Sequence, residues 1–355
     1  MLDSTSVNLR NIIFPKVNYI GNKNKLADWI AENIPITEGK VLDLFAGGSS
    51  VSFALKKKKY TVISNDSLYA SYVVNKALIE NKEVKLDENR IDEALKAKYY
   101  DEHLRKNLNW LSNNLYYAEE VDELTNLVNF SKVLTGYEKY MYLSLLRRAM
   151  IRKLPYSRMN LNWKNIKKLR NEEYSYEKYG RRRAYHNQKF SHHMLAEVNS
   201  YNKAIFDNGM TNHASQLDAI TALKEYDSYD VVYLDPPYPG TMNNYDGFYG
   251  SFDKMFKKDK VYTDWTKPDN FLKLLKKALE VSSQKAKYLI LSINSNTKPG
   301  IEQIIDVLKS YGVVEIKERK HNYQVSGKVN KNKNIELLII LEFKKSKQLT
   351  IFNYL

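Results

Sequence analysis

The sequence predicts an α/β fold with a mostly parallel, doubly wound β-sheet and an antiparallel pair of strands at one edge. A short apolar run at 41–45 is followed by a glycine-containing turn and a segment with helical periodicity, and a β-branched run at 60–65 is followed by a second such segment. Two β–α units in succession are typical of parallel sheets. Two further apolar runs, 230–234 and 288–293, resume the alternation and indicate central strands buried on both faces.

The remaining elements follow from local signals. We expect the first helix at 49–58, with Ser49 as its N-cap, and the second at 67–81. The runs at 313–318 and 335–343 are predicted as the two final strands. Because a polar excursion separates them, they favour an antiparallel edge pair.

The middle of the chain has a different pattern. From about residue 82 to residue 201 it is polar, tyrosine-rich and mostly helical in periodicity, with no buried-strand run. We therefore predict a discontinuous catalytic domain, residues 1–84 plus 200–355, that carries an inserted, mainly helical module at residues 85–199.

The charge is concentrated in that module. The chain has a formal net charge of +15, and the stretch 147–189 holds fourteen basic residues against three acidic ones. Tyrosines and a tryptophan are interleaved with the basic residues, a pattern that indicates a nucleic-acid partner rather than a solvated surface alone.

Composition also excludes several classes of protein. The chain has no cysteine, which rules out disulfides, thiolate metal sites and cysteine nucleophiles. The longest apolar run, 335–343, has the length of a strand and carries two glutamates, so a membrane span is not expected. The N-terminus lacks the features of a secretory signal, and we expect a cytoplasmic, intracellular protein.

The tetrapeptide Asp235-Pro236-Pro237-Tyr238 is the most specific chemical signal. It follows a buried strand directly, where open α/β sheets place their ligands. The prolines fix the backbone, so that the Asp235 carboxylate and the Pro236 carbonyl can face one point. Two converging acceptors suit a primary amino group, and the Tyr238 ring can stack on a base.

An exocyclic amine of a base needs such activation because its lone pair is delocalised into the ring. Acceptance of both N–H hydrogens localises the lone pair for attack on an electrophilic methyl group. Methylation of cytosine at C5, in contrast, normally requires a thiolate, which this chain lacks. An ordinary turn at a strand end is the alternative interpretation.

With this motif the chain resembles the Dam-like (D12 class, alpha-group) adenine-N6 DNA methyltransferases, and the resemblance extends to both halves. The segment Asp43-Leu-Phe45-Ala-Gly47-Gly48 is similar to the cofactor loop of that family, although Ser49 or Ser50 stands at its last glycine position. Upstream, Tyr19-Ile-Gly-Asn-Lys23 looks like the segment that holds the methionine part of the cofactor. This implies that Lys23 pairs with the cofactor carboxylate.

The resemblance implies a Rossmann-like methyltransferase that uses S-adenosylmethionine and no metal. Asp66, about twenty residues past the glycine loop, is expected to reach ribose hydroxyls. Asp218 resembles the acidic residue near the cofactor adenine, although a helix N-cap explains it equally well. The expected cofactor-binding residues are Tyr19, Lys23, Asp43, Phe45, Gly47, Gly48, Asp66 and Asp218.

The order of parts matches the family arrangement in which target recognition is inserted before the catalytic strand, and 152–160 resembles the DNA-contacting segment. The expected DNA-binding residues are Arg152, Lys153, Tyr156, Arg158, Arg181, Arg182 and Arg183. We interpret His186, His192 and His193 as solvated or phosphate-contacting rather than metal-binding. The glycine- and asparagine-rich stretch 239–250 is interpreted as a mobile loop that closes over a flipped base.

Together these features predict a site-specific DNA adenine-N6 methyltransferase that acts on an adenine flipped out of duplex DNA. A role in a restriction-modification system, with the cognate endonuclease encoded separately, is expected. Cytosine-N4 methylation of DNA and methylation of an RNA amino group, including guanine N2, remain alternatives. A non-catalytic DNA-binding protein is a further alternative, but it would not need the converging acceptors of Asp235-Pro236.

Overall fold

A seven-stranded β-sheet organises the computed structural model, which describes residues 9–239, 244–258, 262–320 and 335–344. Its strands are β1 Lys40–Asp43, β2 Thr61–Asn65, β3 His213–Ser215, β4 Tyr229–Leu234, β5 Ala286–Asn294, β6 Gly312–Lys320 and β7 Ile335–Phe343. They lie in the order β3-β2-β1-β4-β5-β7-β6. The first five pair in parallel, and β7 is antiparallel to both β5 and β6. The predicted α/β class and the antiparallel pair at the edge are thus confirmed.

The helices of the described residues surround this sheet. They are α1 Ala27–Glu32, α2 Ser50–Lys57, α3 Tyr69–Asn75, α4 Asn89–Ala94, α5 Glu102–Asn107, α6 Ala118–Phe130, α7 Gly136–Arg152, α8 Trp163–Arg170, α9 Glu172–Tyr179, α10 Phe190–Lys203, α11 Ala219–Glu225, α12 Tyr245–Met255, α13 Pro268–Lys285 and α14 Ile301–Lys309. A π-helical turn, Lys76–Glu80, continues α3. In the part of the chain that the structure describes, no helix is long and apolar enough to cross a membrane.

The strand order reverses between β1 and β4, which lie side by side at the centre of the sheet. Val41 is in register with Val231, and Asp43 with Tyr233. The chain leaves β1 towards β2 on one side and leaves β4 towards β5 on the other. Loops that follow β1 and β4 therefore diverge at this point, and open α/β sheets bind their ligands in the crevice that results.

Helices α3 to α10 lie in one connection between β2 and β3. The long helix α7 packs against α10, against α3 and against the π-helical turn. One apolar core is continuous from the first half of the sheet into these helices. Arg147 and Arg148 of α7 donate to the backbone oxygens of Val17 (2.9 Å) and Lys16 (2.7 Å). The helical segment thus holds the chain just before Tyr19.

Two histidines of this segment are not solvated as expected. His186 and His193 are buried, and their ring nitrogens lie 3.0 and 2.8 Å from the backbone oxygens of Arg152 and Tyr185. Burial lowers the pKa of each to about 4. These two side chains therefore stabilise the fold and do not face a phosphate. His192 is exposed, and no group of side chains among the described residues is arranged to hold a metal ion.

Candidate active site

A cavity of about 590 Å³ opens at the point where the strand order reverses. This volume is in the range of small-molecule binding sites. Its walls come from the ends of β1, β2 and β4, from the glycine loop, from the start of α12 and from residues 262–266. The predicted residues that line it are Tyr19, Lys23, Asp43, Phe45, Gly47, Gly48, Asp66, Asp218, Asp235 and Pro237. The fold therefore brings all eight expected cofactor residues to the same cavity as Asp235.

The glycine loop between β1 and α2 is packed tightly beneath the ring of Tyr19. A Cβ atom at Gly48 would lie 2.8 Å from Cβ of Tyr19, and one at Gly47 would lie 2.8 Å from its ring. Ser49 has φ +69°, a left-handed conformation that favours glycine, so Ser49 occupies the last glycine position of the motif. Ser49 is the N-cap residue of α2, as predicted, but its hydroxyl makes no cap bond and donates to Asn75 instead.

Asp66 holds the glycine loop in place. Its two carboxylate oxygens accept from the backbone N–H groups of Gly47 and Leu68, both at 2.9 Å. Burial raises the pKa of Asp66 to about 6, and these bonds oppose the rise. A carboxylate has further lone pairs, so Asp66 can still accept from a ligand in the cavity.

Asp43 differs from Asp66 in its hydrogen bonds. Its Oδ2 atom accepts from Ser52 Oγ at 2.6 Å, whereas Oδ1 is buried and has no hydrogen-bond partner among the described residues. Burial raises the pKa of Asp43 to about 7, with a smaller opposing effect of the Ser52 bond. A buried acceptor that lines a cavity and lacks a donor is suited to a ligand that brings one.

Asp218 is both a helix cap and a residue of the cavity. It caps α11 by accepting from the N–H of Ile220 at 3.0 Å, and its other oxygen accepts from the N–H of Thr263 at 2.7 Å. It also lines the cavity. Asp218 thereby fastens residues 262–266 over the cavity, where Trp265 meets the edge of Phe45 at 5.2 Å between ring centroids.

The Asp235 carboxylate forms an ion pair with Lys23. The Lys23 ammonium is 2.7 Å from Asp235 Oδ1, donates to the Tyr238 hydroxyl at 2.8 Å and lies 3.5 Å from Glu336. The ammonium of Lys23 is thus directed at Asp235 in the structure, and its pairing with a cofactor carboxylate stays a prediction. Burial raises the pKa of Asp235 to about 6, while Lys23 lowers it and Glu336 raises it.

The segment after the tetrapeptide differs from the expected mobile loop. Residues 240–243 lie outside the described residues, but residues 245–250 are the first turns of α12. The rings of Tyr245 and Tyr249 stack on Tyr19 at centroid distances of 5.5 and 4.8 Å. Tyr249 also accepts from the N–H of Ile20 at 2.6 Å. Helix α12 thus forms a wall of the cavity.

The sequence does not indicate several residues of this site. Tyr245 and Tyr249 lie in a glycine-rich stretch whose composition favours a loop. Glu336 is fully buried in β7. Its position inside an apolar run could have indicated a functional residue, because a buried charge requires partners. Arg147 lies 5.0 Å from the ring centroid of Tyr249 and is also buried.

The expected DNA contacts divide into accessible and buried groups. Arg181, Arg182 and Tyr156 are exposed, and Arg152, Arg158 and Arg183 are partly exposed. Lys153 is only 1% exposed, pairs with Glu120 at 2.8 Å and donates to the backbone oxygen of Gln188. Its expected DNA contact is therefore corrected to a structural role. Arg147, Arg148 and Arg170 are also buried, so part of the basic cluster is internal.

The open α/β sheet carries a glycine loop and several acids at its switch point, and Asp-Pro-Pro-Tyr follows its fourth strand. These features together define a Rossmann-like methyltransferase that acts on an amino group. Comparison with protein families narrows this class. The profile of the D12 class N6 adenine-specific DNA methyltransferases matches residues 19–321. The chain belongs to this family and is an adenine-specific DNA methyltransferase.

Curated relatives agree with this assignment. The chain is 41% identical over 339 residues to the Type II methyltransferase M2.HphI of Haemophilus parahaemolyticus, a match that covers 94% of this chain and 99% of the relative. It is 27% identical to the modification methylase StsI of Streptococcus sanguinis, of which it spans 53%. A third relative, M.FokI of Planomicrobium okeanokoites, is 29% identical over 63% of this chain.

Proposed function

We propose that this protein transfers the methyl group of S-adenosylmethionine to N6 of an adenine that has rotated out of duplex DNA. The observation that carries the proposal is the Asp235 carboxylate, which lines the cavity of the glycine loop and is held there by Lys23. The ion pair engages Oδ1, so the second oxygen can accept an N–H of the adenine amino group.

The residues of the cavity fit this methyl donor. The Oδ1 atom of Asp43, which no described residue pairs with, suits the ammonium of a methionine group, and the rings of Tyr19 and Phe45 offer apolar faces. Gly47 and Gly48 keep the loop free of side chains, and Asp66 and Asp218 can accept from ribose and adenine groups. When bound, S-adenosylmethionine supplies an electrophilic methyl group.

The chain performs the rest of the chemistry by position and charge. Asp235 and the Pro236 carbonyl accept the two N6 hydrogens, which localises the nitrogen lone pair. Pro237 fixes the direction of the backbone, and Tyr238 stacks on the base. Lys23 favours the ionised form of Asp235. In that form both carboxylate oxygens are acceptors, so that one can accept from Lys23 and the other from an N6 hydrogen.

Recognition of DNA falls to residues 85–199 in this proposal. Arg152, Arg158, Arg181, Arg182 and Arg183 can contact phosphates or guanine edges. Tyr156 is 54% exposed and has φ +58°, an unusual conformation that presents its ring on the surface. The relative M2.HphI is named a Type II methyltransferase. We infer that this protein is the modification partner of a separately encoded endonuclease and acts in the cytoplasm.

The test is to identify the labelled base. The purified protein is incubated with tritiated S-adenosylmethionine and unmethylated duplex DNA, and the DNA is digested to nucleosides and separated by chromatography. Label in N6-methyladenine supports the proposal. Label in N4-methylcytosine, or label in structured RNA but not in DNA, would contradict it.

A further inference from the structure

A buried carboxylate outside every recognised motif adjoins the catalytic tetrapeptide. Glu336 of β7 is 0% exposed and stands ninety-eight residues after Tyr238. It accepts from Ser292 Oγ at 2.6 Å and from the Tyr238 hydroxyl at 3.1 and 3.2 Å. Burial of a carboxylate is costly unless it is paired and hydrogen-bonded, so this arrangement is maintained against a desolvation penalty.

The Tyr238 hydroxyl stands between two charged groups. It accepts from the Lys23 ammonium at 2.8 Å and donates to Glu336. Hydrogen bonds to charged groups are shorter and stronger than neutral ones. These two bonds fix the position of the hydroxyl and therefore the direction of the long axis of the ring that is proposed to stack on adenine.

Glu336 also competes with Asp235 for one cation. The Lys23 ammonium is 2.7 Å from Asp235 and 3.5 Å from Glu336, so both carboxylates contact the same positive charge. The other titratable groups that face Asp235 are Asp43 at the end of β1 and Tyr233 within β4. The charge of Glu336 opposes ionisation of Asp235 and that of Asp235 opposes ionisation of Asp43, whereas Lys23 favours ionisation of Asp235.

We propose that Glu336 is a positioning residue for methyl transfer. It orients the Tyr238 ring through the tyrosine hydroxyl. It also contacts the Lys23 ammonium that pairs with Asp235, and so limits how strongly Lys23 favours the ionised carboxylate of Asp235. This inference rests on the proposed function, because it assigns Glu336 a part in the same reaction. Nothing in the tetrapeptide or in the glycine loop specifies it. It arises because β7 lies against β5 and brings Glu336 to the carboxyl end of β4.

The consequence for pH follows from the sign of each charge. Asp235 must be ionised to accept the amino hydrogens, so the rate of transfer rises with pH through its pKa. The negative charge of Glu336 raises that pKa. Glu336→Gln keeps an acceptor for Tyr238 and Ser292 but removes the charge, and should therefore move the acid limb of the rate profile to lower pH.

The experiment measures single-turnover methyl transfer to duplex DNA between pH 5 and pH 9. Glu342→Gln is the matched control, because Glu342 lies on the same strand with its side chain exposed. We expect a shifted acid limb for Glu336→Gln and the parent profile for Glu342→Gln. An unshifted limb in Glu336→Gln would overturn the electrostatic part. Thermal unfolding and binding of S-adenosylmethionine establish that each variant is folded.

A second variant keeps the inference testable if Glu336→Gln does not fold. Tyr238→Phe removes the hydroxyl and retains the ring, and its plateau rate should fall about tenfold because the ring is no longer held by two bonds to charged groups. A parent-like plateau rate would contradict the orienting role. If the parent protein itself puts no label in N6-methyladenine, the proposed function fails. If the parent is active and both variants behave like it, only the role of Glu336 fails.

Discussion

The ammonium of Lys23 lies 2.7 Å from the carboxylate of Asp235, although the two residues are separated by 212 positions in the chain. The side chain of Lys23 is only 3% exposed and that of Asp235 is 18% exposed. This ion pair joins the segment before the first strand to the loop after the fourth. It connects a predicted cofactor-binding residue directly to the predicted catalytic residue.

Replacement of Lys23 by Met should abolish the ion pair with Asp235. Asp235 and Glu336 would then lack their shared cation, and the pKa of Asp235 should rise further because burial and neighbouring acids act on it unopposed. We expect transfer at neutral pH to fall by about a hundredfold or more, with partial recovery at higher pH. A rate profile over pH for Lys23→Met measures this.

The matched control is Lys25→Met, because Lys25 is exposed and two residues away. It should retain parent activity. A Lys23→Met enzyme with a parent-like rate at neutral pH would contradict the role assigned to the ion pair.

Binding of S-adenosylmethionine should depend on pH through Asp43. The pKa of Asp43 is about 7, and only its ionised form attracts a cationic ligand. Affinity should increase about tenfold between pH 6 and pH 7.5, as expected for a group that must lose a proton before the ligand binds. Isothermal titration calorimetry measures the dissociation constant at each pH. Asp43→Asn should reduce the dependence, and an unchanged dependence in that variant would rule Asp43 out as its origin.

Ionisation of Asp43 and Asp66 should lower the stability of the protein without cofactor. Asp43 and Asp66 have pKa values of about 7 and about 6 in the folded protein, above the value of 3.8 that such groups have in an open chain. The native state therefore binds more protons than the unfolded state in this window, and the free energy of unfolding should fall as pH rises from about 4 to 7 through these groups. Thermal unfolding of the parent and of Asp43→Asn, without cofactor, tests this. The decline should be smaller in the variant.

The contact between Gly48 and Tyr19 should be sensitive to a single methyl group. A Cβ atom at Gly48 would lie 2.8 Å from Cβ of Tyr19, so Gly48→Ala must displace the ring that covers the loop. We expect binding of S-adenosylmethionine to weaken about tenfold, within the usual cost of overpacking. Gly300→Ala is a suitable control, because nothing lies within 4 Å of a Cβ atom there. Equal affinities in both variants would refute the close approach.

The buried and the exposed basic residues should behave differently. Lys153→Met should lower the free energy of unfolding by about 3 kcal/mol, the lower end for a broken buried ion pair, because Glu120 retains Arg170 as a partner. Arg181→Ala with Arg182→Ala should instead reduce the slope of log affinity for DNA against log salt concentration, by about one for each phosphate that is no longer neutralised. If Lys153→Met lowers that slope and leaves stability unchanged, Lys153 contacts DNA after all.

The fold and the motifs can be predicted because their signals are local. The apolar runs indicate the four longer parallel strands, and Asp235-Pro236-Pro237-Tyr238 and the glycine loop lie at strand ends, where ligand sites occur. The three-residue strand β3 escapes prediction, because it is too short for a periodic pattern. The first half of α12 is interpreted as part of a loop from the sequence, because the glycine and asparagine content of the stretch 239–250 outweighs the spacing of the buried residues in the helix.

The partners of charged side chains cannot be predicted from sequence. The motifs and the composition suggest that Lys23, Lys153, His186 and His193 face ligands or solvent, yet each is buried and contacts other groups of the protein. Tertiary packing alone decides such contacts. Glu336 shows the reverse case, since an acid in the apolar run 335–343 is visible in the sequence but its partners Ser292 and Tyr238 are not.

Asp235→Ala separates the catalytic role of Asp235 from cofactor binding. The rate of single-turnover methyl transfer to duplex DNA is measured together with the dissociation constant for S-adenosylmethionine. We expect transfer to fall by about a thousandfold or more while cofactor binding stays nearly intact, because Asp235 acts on the adenine amino group. Appreciable remaining transfer, or loss of cofactor binding in place of loss of transfer, would contradict this role.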